Sequence, residues 1–110
     1  MLIATRVLKL RGKGGEIELP VRVYAPARDE HGVGCKCEID WPGKPETRTI
    51  YGTDEVQAIL LTLQFVGARI YGSDEHKAGN LFWYEFGRGY GFPVPNNIRG
   101  SLIGDDAKYL

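Results

Sequence analysis

The chain has 110 residues, of which 43% are hydrophobic and 25% are charged, and this composition excludes an intrinsically disordered protein. Its 14 Lys and Arg residues balance 14 Asp and Glu residues, so no overall charge draws the chain to nucleic acid or to anionic lipid. The length fits one domain, residues 1–110, and no segment approaches the roughly 20 apolar residues of a membrane span.

The first quarter of the chain is predicted to form a β-hairpin. Leu2–Leu10 carries apolar side chains on both faces of a strand, a pattern typical of a central position in a sheet. The glycine-rich segment Arg11–Glu16 supplies the positive φ angles that a tight turn needs. Glu16–Tyr24 then alternates between apolar and polar residues. Because Pro20 has no N–H to donate, we expect this second strand to lie at an edge or to carry a bulge there.

Two further strands and one long helix follow. Cys35–Trp41 alternates apolar and charged residues in the plainest period-two pattern of the chain, and Thr47–Tyr51 reads as a short strand. Asp54–Tyr71 carries apolar residues at helical spacing, with Thr53 as the expected N-cap. Its apolar surface is wider than one stripe, so we expect later residues or a partner to cover part of it.

The last third of the chain is predicted to add one more strand and a tail. Leu81–Phe86 reads as an aromatic strand, the glycine- and proline-rich segment Gly87–Pro95 follows, and Asp105–Leu110 looks solvated. The predicted fold is α+β, with an antiparallel meander of about four to five strands and one long helix packed on it in two layers.

The segment Arg88–Phe92 matches the first five positions of the RNP1 motif, whose aromatic side chains stack on RNA bases. The match ends at Pro93 and Pro95, because two prolines so close together would interrupt a central strand. A dinucleotide-binding loop needs G-x-G-x-x-G before a helix, whereas here the glycines are followed by Phe-Pro-Val-Pro. We therefore predict no nucleic-acid partner and no phosphate loop.

The two cysteines, Cys35 and Cys37, are spaced like neighbours on one face of a strand rather than like a zinc knuckle. The interpretation is two small buried thiols, with no metal and no cofactor. Two cysteines are too few for the disulfide framework of a secreted scaffold, and Arg6 interrupts the first apolar run before it reaches signal-peptide length. The prediction is a cytoplasmic protein. No serine, histidine or carboxylate sits in a catalytic motif, so no catalytic residue is assigned.

Aromatic side chains are concentrated near the end of the chain. Trp83, Tyr84, Tyr90 and Phe92 lie within ten residues and surround Arg88. Trp, Tyr and Arg are the residue types that anchor protein interfaces. Two interpretations stay open here: a contact surface for a partner, or a strand that packs on the helix with one face and under the tail with the other.

Two longer stretches carry a resemblance. "YGTDEVQAILLTLQFVGARIY", Tyr51–Tyr71, followed by "GRGYGFPVP", Gly87–Pro95, resembles a family of small bacterial proteins of about this length that has no assigned function. The entry into the helix, with Gly52, Asp54, Gln57 and Ala58, is also similar to that of some toxin-immunity proteins. The second resemblance implies a role in binding a protein partner, and it supplies no site residues.

The predicted function is that of a small soluble protein without enzymatic activity that binds another protein, with an immunity-type role as one form of it. A homodimer is a second option. The alternative is a small-molecule-binding or enzymatic domain with a pocket between helix and sheet. For both hypotheses, protein binding and small-molecule binding, the candidate binding residues are Gln57, Trp83, Tyr84, Arg88, Tyr90 and Phe92.

Overall fold

A long antiparallel hairpin begins the computed structural model, which describes residues 1–110. Strand β1 (Leu2–Gly12) pairs with strand β2 (Gly15–Tyr24) along almost their whole length, with one bulge between Leu2 and Ala4. Because opposed residues of an antiparallel pair share a face, the register puts Ala4, Arg6 and Leu8 beside the buried residues of β2, which are Val23, Val21 and Leu19.

Four shorter strands complete the sheet: β3 (Ala27–Asp29), β4 (Gly32–Ile39), β5 (Glu46–Gly52) and β6 (Leu81–Phe82). All pairs are antiparallel, and the main order is β5–β4–β2–β1–β6. Strand β3 pairs with the first residues of β4, on the side that β2 occupies farther along. The sheet therefore has two outer edges, one formed by β5 and the other by β1 with the short β6.

The long helix α1 (Glu55–Tyr71) packs on one face of this sheet. Its N-cap is Asp54, whose carboxylate accepts a hydrogen bond from Gln57 N at 2.8 Å. The predicted cap was Thr53, one residue earlier. Three short elements follow: helix α2 (Asp74–Lys77), a 3₁₀ turn (Asn96–Ser101) and helix α3 (Gly104–Tyr109).

The core lies between α1, the inner face of the sheet and the segment after β6. Leu8, Leu19 and Ile39 from the sheet and Val66 and Ile70 from the helix are almost completely buried in it. A side chain at Gly67 of α1 would collide with the carbonyl oxygen of Pro93. The glycine therefore lets the later segment lie directly on the helix, as expected from the helix's wide apolar surface.

The predicted fold class is confirmed: an antiparallel sheet carries one long helix. The sheet has six strands rather than four to five. The predicted strand Leu81–Phe86 ends at Phe82, because the next residues bend away and bring the Phe86 ring onto the Phe82 ring, 4.1 Å between centroids. The single-domain organisation stays a prediction. None of the helices is long and apolar enough to cross a membrane.

The positions of the first two strands differ from a simple interpretation of their patterns. Strand β1, predicted as central, has a neighbour on its outer side only at Lys9 and Leu10. Strand β2 is central but pairs with β4 only from Val21 onward. Pro20 lies where that pairing ends, and its carbonyl oxygen accepts from Asp40 N. Its missing N–H therefore falls at a local edge, as the sequence predicts.

Candidate functional site

The glycine loop, Gly87–Pro95, folds back against β1 and contacts residues near both ends of the chain, Arg6 and Asp106. Gly89 and Gly91 have φ angles of 93° and 75°, a backbone conformation that residues other than glycine rarely adopt. A Cβ at Gly89 would also meet the Asp106 carboxylate, and one at Gly91 would meet Arg6 and Trp83. The glycines are therefore required by backbone conformation and by the close approach of these side chains.

Asp106 of α3 occupies the hollow of this loop. Its carboxylate accepts hydrogen bonds from Tyr90 N and Gly91 N, each at 2.8 Å, and from the Tyr71 hydroxyl at 2.5 Å. Only 2% of Asp106 is exposed. Backbone N–H groups in such a loop form a site for an anion, and in this protein the anion is the chain's own carboxylate.

Arg6 of β1 binds the other side of the same loop. Its Nη1 donates to Tyr90 O at 3.2 Å and to Gly91 O at 2.9 Å. Its guanidinium lies over the Trp83 ring at 3.9 Å and near the Phe92 ring at 4.9 Å, an arrangement that adds cation–π attraction. Burial lowers the pKa of Arg6, while the charge of Asp106 raises it. We call Arg6, Asp106 and their bonds to this loop the clasp.

A cluster of three rings lies under the clasp. Tyr71, His76 and Tyr90 meet edge to face, with centroids 4.9–5.4 Å apart, and the Tyr90 hydroxyl lies 2.5 Å from His76 Nδ1. Burial raises the pKa of Tyr90 to about 12 and lowers the pKa of His76. Burial and the bond to Asp106 raise the pKa of Tyr71. The cluster is therefore held in its neutral form, and the Tyr90 hydroxyl forms a hydrogen bond with the neutral His76 imidazole.

Above the clasp, exposed side chains and the half-buried Trp83 surround a cavity of about 200 Å³. We call them the aromatic rim: Trp83, Tyr84, Arg88, Tyr109 and Leu110. Tyr84 is 57% and Tyr109 is 71% exposed. Both Tyr84 and Arg88 bind the Asp105 carboxylate, so two rim side chains are fixed by one acceptor. The cavity floor contains Gly91 and Asp106, which links the rim to the clasp.

The structure brings five of the six candidate binding residues together. Trp83, Tyr84 and Arg88 belong to the aromatic rim, whereas Tyr90 and Phe92 are buried, 2% and 5% exposed. The last two support the loop from below and present no surface to a partner. Whether any of the five binds a ligand stays a prediction.

The sixth candidate, Gln57, lies elsewhere. It is in the first turn of α1, about 21 Å along the helix from Tyr71 at 1.5 Å per residue. Its side-chain oxygen accepts from Thr53 N at 2.5 Å, which stabilises the helix start. The structure thus gives Gln57 a capping contact and does not place it near the other candidates.

Sequence reasoning missed four polar residues of this region: Arg6, Tyr71, His76 and Asp106. One of them left a signal, because position 6 lies on the inner face between Ala4 and Leu8, and a charged residue at an inward position needs a partner. Asp106 left no signal in the sequence. Two of the groups that donate to it are backbone N–H groups, which do not depend on residue type. The prediction that Asp105–Leu110 is solvated is wrong at Asp106.

The alternative of a small-molecule pocket between helix and sheet is not favoured. The cavity at that position, lined by Leu63, Val21 and Phe92 among others, has a volume of about 180 Å³, below the roughly 300 Å³ at which ligand pockets begin. A larger cavity of about 360 Å³ near Trp41 is a mainly polar surface depression. Cys35 and Cys37 are buried, unlinked thiols of the inner sheet face, and burial raises the pKa of Cys37 to about 11.

Comparisons with known proteins add one finding. Searches of curated proteins and of solved structures gave no match. A family model described as a domain of unknown function, DUF6968, matches residues 4–94, from β1 to the end of the glycine loop. The predicted membership of a family without an assigned function is confirmed, while the bacterial origin and the likeness to toxin-immunity proteins stay predictions. The matched range covers most of the chain, so this chain belongs to the DUF6968 family.

Proposed function

We propose that this protein acts by binding a protein partner at the aromatic rim. The observation that carries the proposal is the set of side chains around the cavity above Asp106: Trp83, Tyr84, Arg88 and Tyr109. Trp, Tyr and Arg are enriched among the residues that dominate binding energy at protein interfaces. A cavity of about 200 Å³ suits one inserted partner side chain better than a whole ligand.

The support below the rim favours binding. Side chains that are already ordered lose less conformational entropy when a partner binds. Arg88 and Tyr84 share the Asp105 carboxylate, and Trp83 is stacked on the Arg6 guanidinium. The rim is thus presented on a base that the clasp holds in place, and a partner would meet it with little rearrangement.

The compartment and the wider role are part of the same proposal. Free buried thiols at Cys35 and Cys37 are compatible with the reducing cytoplasm, where we place the protein. An immunity-type role, in which the bound partner is a toxin, is the specific form that the helix entry at Asp54 and Gln57 suggests. A homodimer is compatible with a rim that binds another protein.

Site-specific photo-crosslinking tests the proposal. A photoreactive phenylalanine analogue is placed at Tyr84 and, in a second sample, at Tyr51, an exposed tyrosine of β5. We expect crosslinking in the native host to one discrete protein from position 84, because that ring lies in the rim. The crosslinked protein is then purified and titrated against the wild-type chain.

The titration uses matched variants. Tyr84→Ala and Tyr109→Ala should each weaken the dissociation constant by about tenfold or more, the effect of losing an interface anchor. Tyr51→Ala removes a ring of the same kind from the other edge and should leave the constant within about twofold. Equal crosslinking at positions 84 and 51, or equal affinity of all three folded variants, would reject the rim as the binding surface.

A further inference from the structure

Strand β1 leaves part of its backbone without a partner at the edge of the sheet. Strand β6 pairs with β1 only near the β1 C-terminus, where Arg11 N donates to Asn80 O at 2.9 Å. In an antiparallel strand, the N–H and C=O of one residue point to the same side, and the side alternates along the chain. The backbone groups of Thr5 and Val7 therefore point the same way as those of Arg11, and neither bonds to the segment after β6.

The side chains along this edge are apolar and exposed. Leu2 and Ile3 are each 48% and Val7 is 36% exposed. Natural sheet edges usually carry lysine, proline or another charged residue that discourages pairing with a second chain. The one charged residue in this stretch is Arg6, and its guanidinium is turned inward and bound in the clasp. We call Leu2–Val7 the β1 edge.

The neighbouring side of α1 continues this apolar surface. Leu63 lines the cavity of about 180 Å³ beside Ala4 and Phe92. Leu60 and Val56 precede Leu63 by three and seven residues, so they lie on the same stripe of the helix. They are 49% and 75% exposed. The strand edge and the helix stripe therefore face the same side of the molecule.

We propose that a second copy of this chain covers this surface, with the two β1 strands pairing antiparallel across a two-fold axis near Thr5. The two sheets then become one, and β1 takes the central position that its apolar residues on both faces predict. The same rotation brings the exposed stripe of α1, Val56 and Leu60, toward the other copy. This contact is separate from the aromatic rim and does not depend on the proposed function.

Symmetry and charge favour a second copy over another occupant. An isologous contact needs a surface that complements itself. Near the axis Thr5 meets the second Thr5, a favourable cross-strand pair, and Val7 meets the apolar N-terminal residues of the other strand. No like charges oppose each other there, because Arg6 is held inward. The chain's formal net charge of zero gives two copies no overall repulsion.

The wild-type protein provides the first test. Sedimentation across a series of protein concentrations should show a reversible monomer–dimer equilibrium. Hydrogen exchange at the Thr5 and Val7 amides should slow as the dimer fills, while the Arg11 amide, already bonded to Asn80 O, should keep a rate that is independent of concentration. A monomer at every concentration would overturn the proposal and favour a strand from a different protein at this edge.

A charge-swap pair provides the second test. Thr5→Lys and Thr5→Glu each place like charges opposite one another at the axis, and each should weaken self-association by about tenfold or more. An equal mixture of the two variants should regain a dimer within about threefold of the wild-type affinity. Thr49→Lys and Thr49→Glu, made on the exposed face of β5, are the controls and should leave the equilibrium unchanged.

The outcomes separate cleanly. Recovery in the mixture places Thr5 beside Thr5 of the second copy and supports the proposal. Equal dimer affinity in all Thr5 variants, or weakening by the Thr49 pair alone, overturns it. If a Thr5 variant does not fold, as judged by circular dichroism, the concentration dependence of the wild-type Thr5 and Val7 amides decides the question.

Discussion

The two edges of the sheet end it in different ways. At the β5 edge (Glu46–Gly52) the outer strand is short and polar, and Arg69 reaches from α1 to bind Glu46 at 3.0 Å, with Arg69 52% exposed. At the opposite edge, β6 pairs with the end of β1, and the glycine loop is held by partly buried contacts of Arg6 and Asp106. In the first half of that strand, the β1 edge, the outward-pointing backbone groups of Thr5 and Val7 have no partner. The side chains of Leu2, Ile3 and Val7 there are exposed.

This contrast predicts that the stability of the fold depends more on the clasp than on the ion pairs of the β5 edge. Ion pairs in contact with water contribute little, because solvent screens them and long side chains lose entropy in forming them. Buried hydrogen bonds cost much more to break, since a donor left unpaired loses its water as well as its partner. Removing a polar contact of the clasp should therefore lower the free energy of unfolding more than removing a comparable contact at the β5 edge.

Loss of Asp106 should have the largest effect. In Asp106→Ala, Tyr90 N, Gly91 N and the Tyr71 hydroxyl lose their shared acceptor in a buried site. We expect the free energy of unfolding to fall by about 3–5 kcal/mol, measured by urea denaturation. Asp105→Ala, one residue earlier, is the control, because its bonds to Tyr84 and Arg88 are at the surface. A loss in Asp106→Ala no larger than that in the control would contradict the role of the clasp.

Arg6 should rank second. Arg6→Leu keeps apolar bulk but removes the two bonds to backbone carbonyls and the stacking on Trp83, and we expect a loss of about 2–3 kcal/mol. Arg6→Lys should recover only part of this, because an ammonium group lacks the planar fork of a guanidinium. Tryptophan fluorescence should shift toward that of exposed indole in Arg6→Leu. Full recovery with lysine would show that charge alone matters.

His76 should make the stability of the folded protein depend on pH. Burial lowers its pKa in the folded state, whereas the unfolded chain titrates near the ordinary value of about 6.5. The unfolded chain therefore binds the proton more readily, so stability should be fully present above about pH 6.5 and fall as the pH drops below it. Thermal unfolding of the wild-type protein and of His76→Gln between pH 4.5 and 8, a range chosen to bracket that value, should show a flatter curve for the variant. Parallel curves would exclude His76 as the source.

Arg48 on the β5 edge should have the smallest effect. Its side chain is 55% exposed, and its contact with Glu46 is 4.0 Å long. Arg48→Ala should change the free energy of unfolding by about 0.5 kcal/mol or less, and added salt should make even this difference vanish. A loss comparable with that in Arg6→Leu would show that the two edges do not differ in the way described above.

The fold was predictable where local pattern and tertiary packing agree. The period-two strands and the helical spacing of Asp54–Tyr71 gave β1, β2, β5 and α1 closely. Strand β3 was not predicted, and β4 begins at Gly32, before the predicted start at Cys35. The aromatic segment was predictable only in part, because its strand ends at Phe82, where the next residues bend away and bring the Phe86 ring onto the Phe82 ring. Asp106 could not be found at all, since no spacing rule connects a carboxylate with peptide N–H groups of a distant loop. Position 6 did carry a signal: a charge on the inner face.

The clasp also has a consequence for how the chain is made. Arg6 bonds to Gly91, 85 positions later, and Asp106 bonds to the same residue from the far end of the sequence. During synthesis the hairpin of β1 and β2 leaves the ribosome first. The glycine loop cannot form its hydrogen bonds with Asp106 until α3 has emerged. Contacts of such long sequence separation form late and slowly. For most of translation, the contacts of Trp83 and Phe92 with Arg6 are therefore absent, and the inner face of β1 is open to other nascent chains.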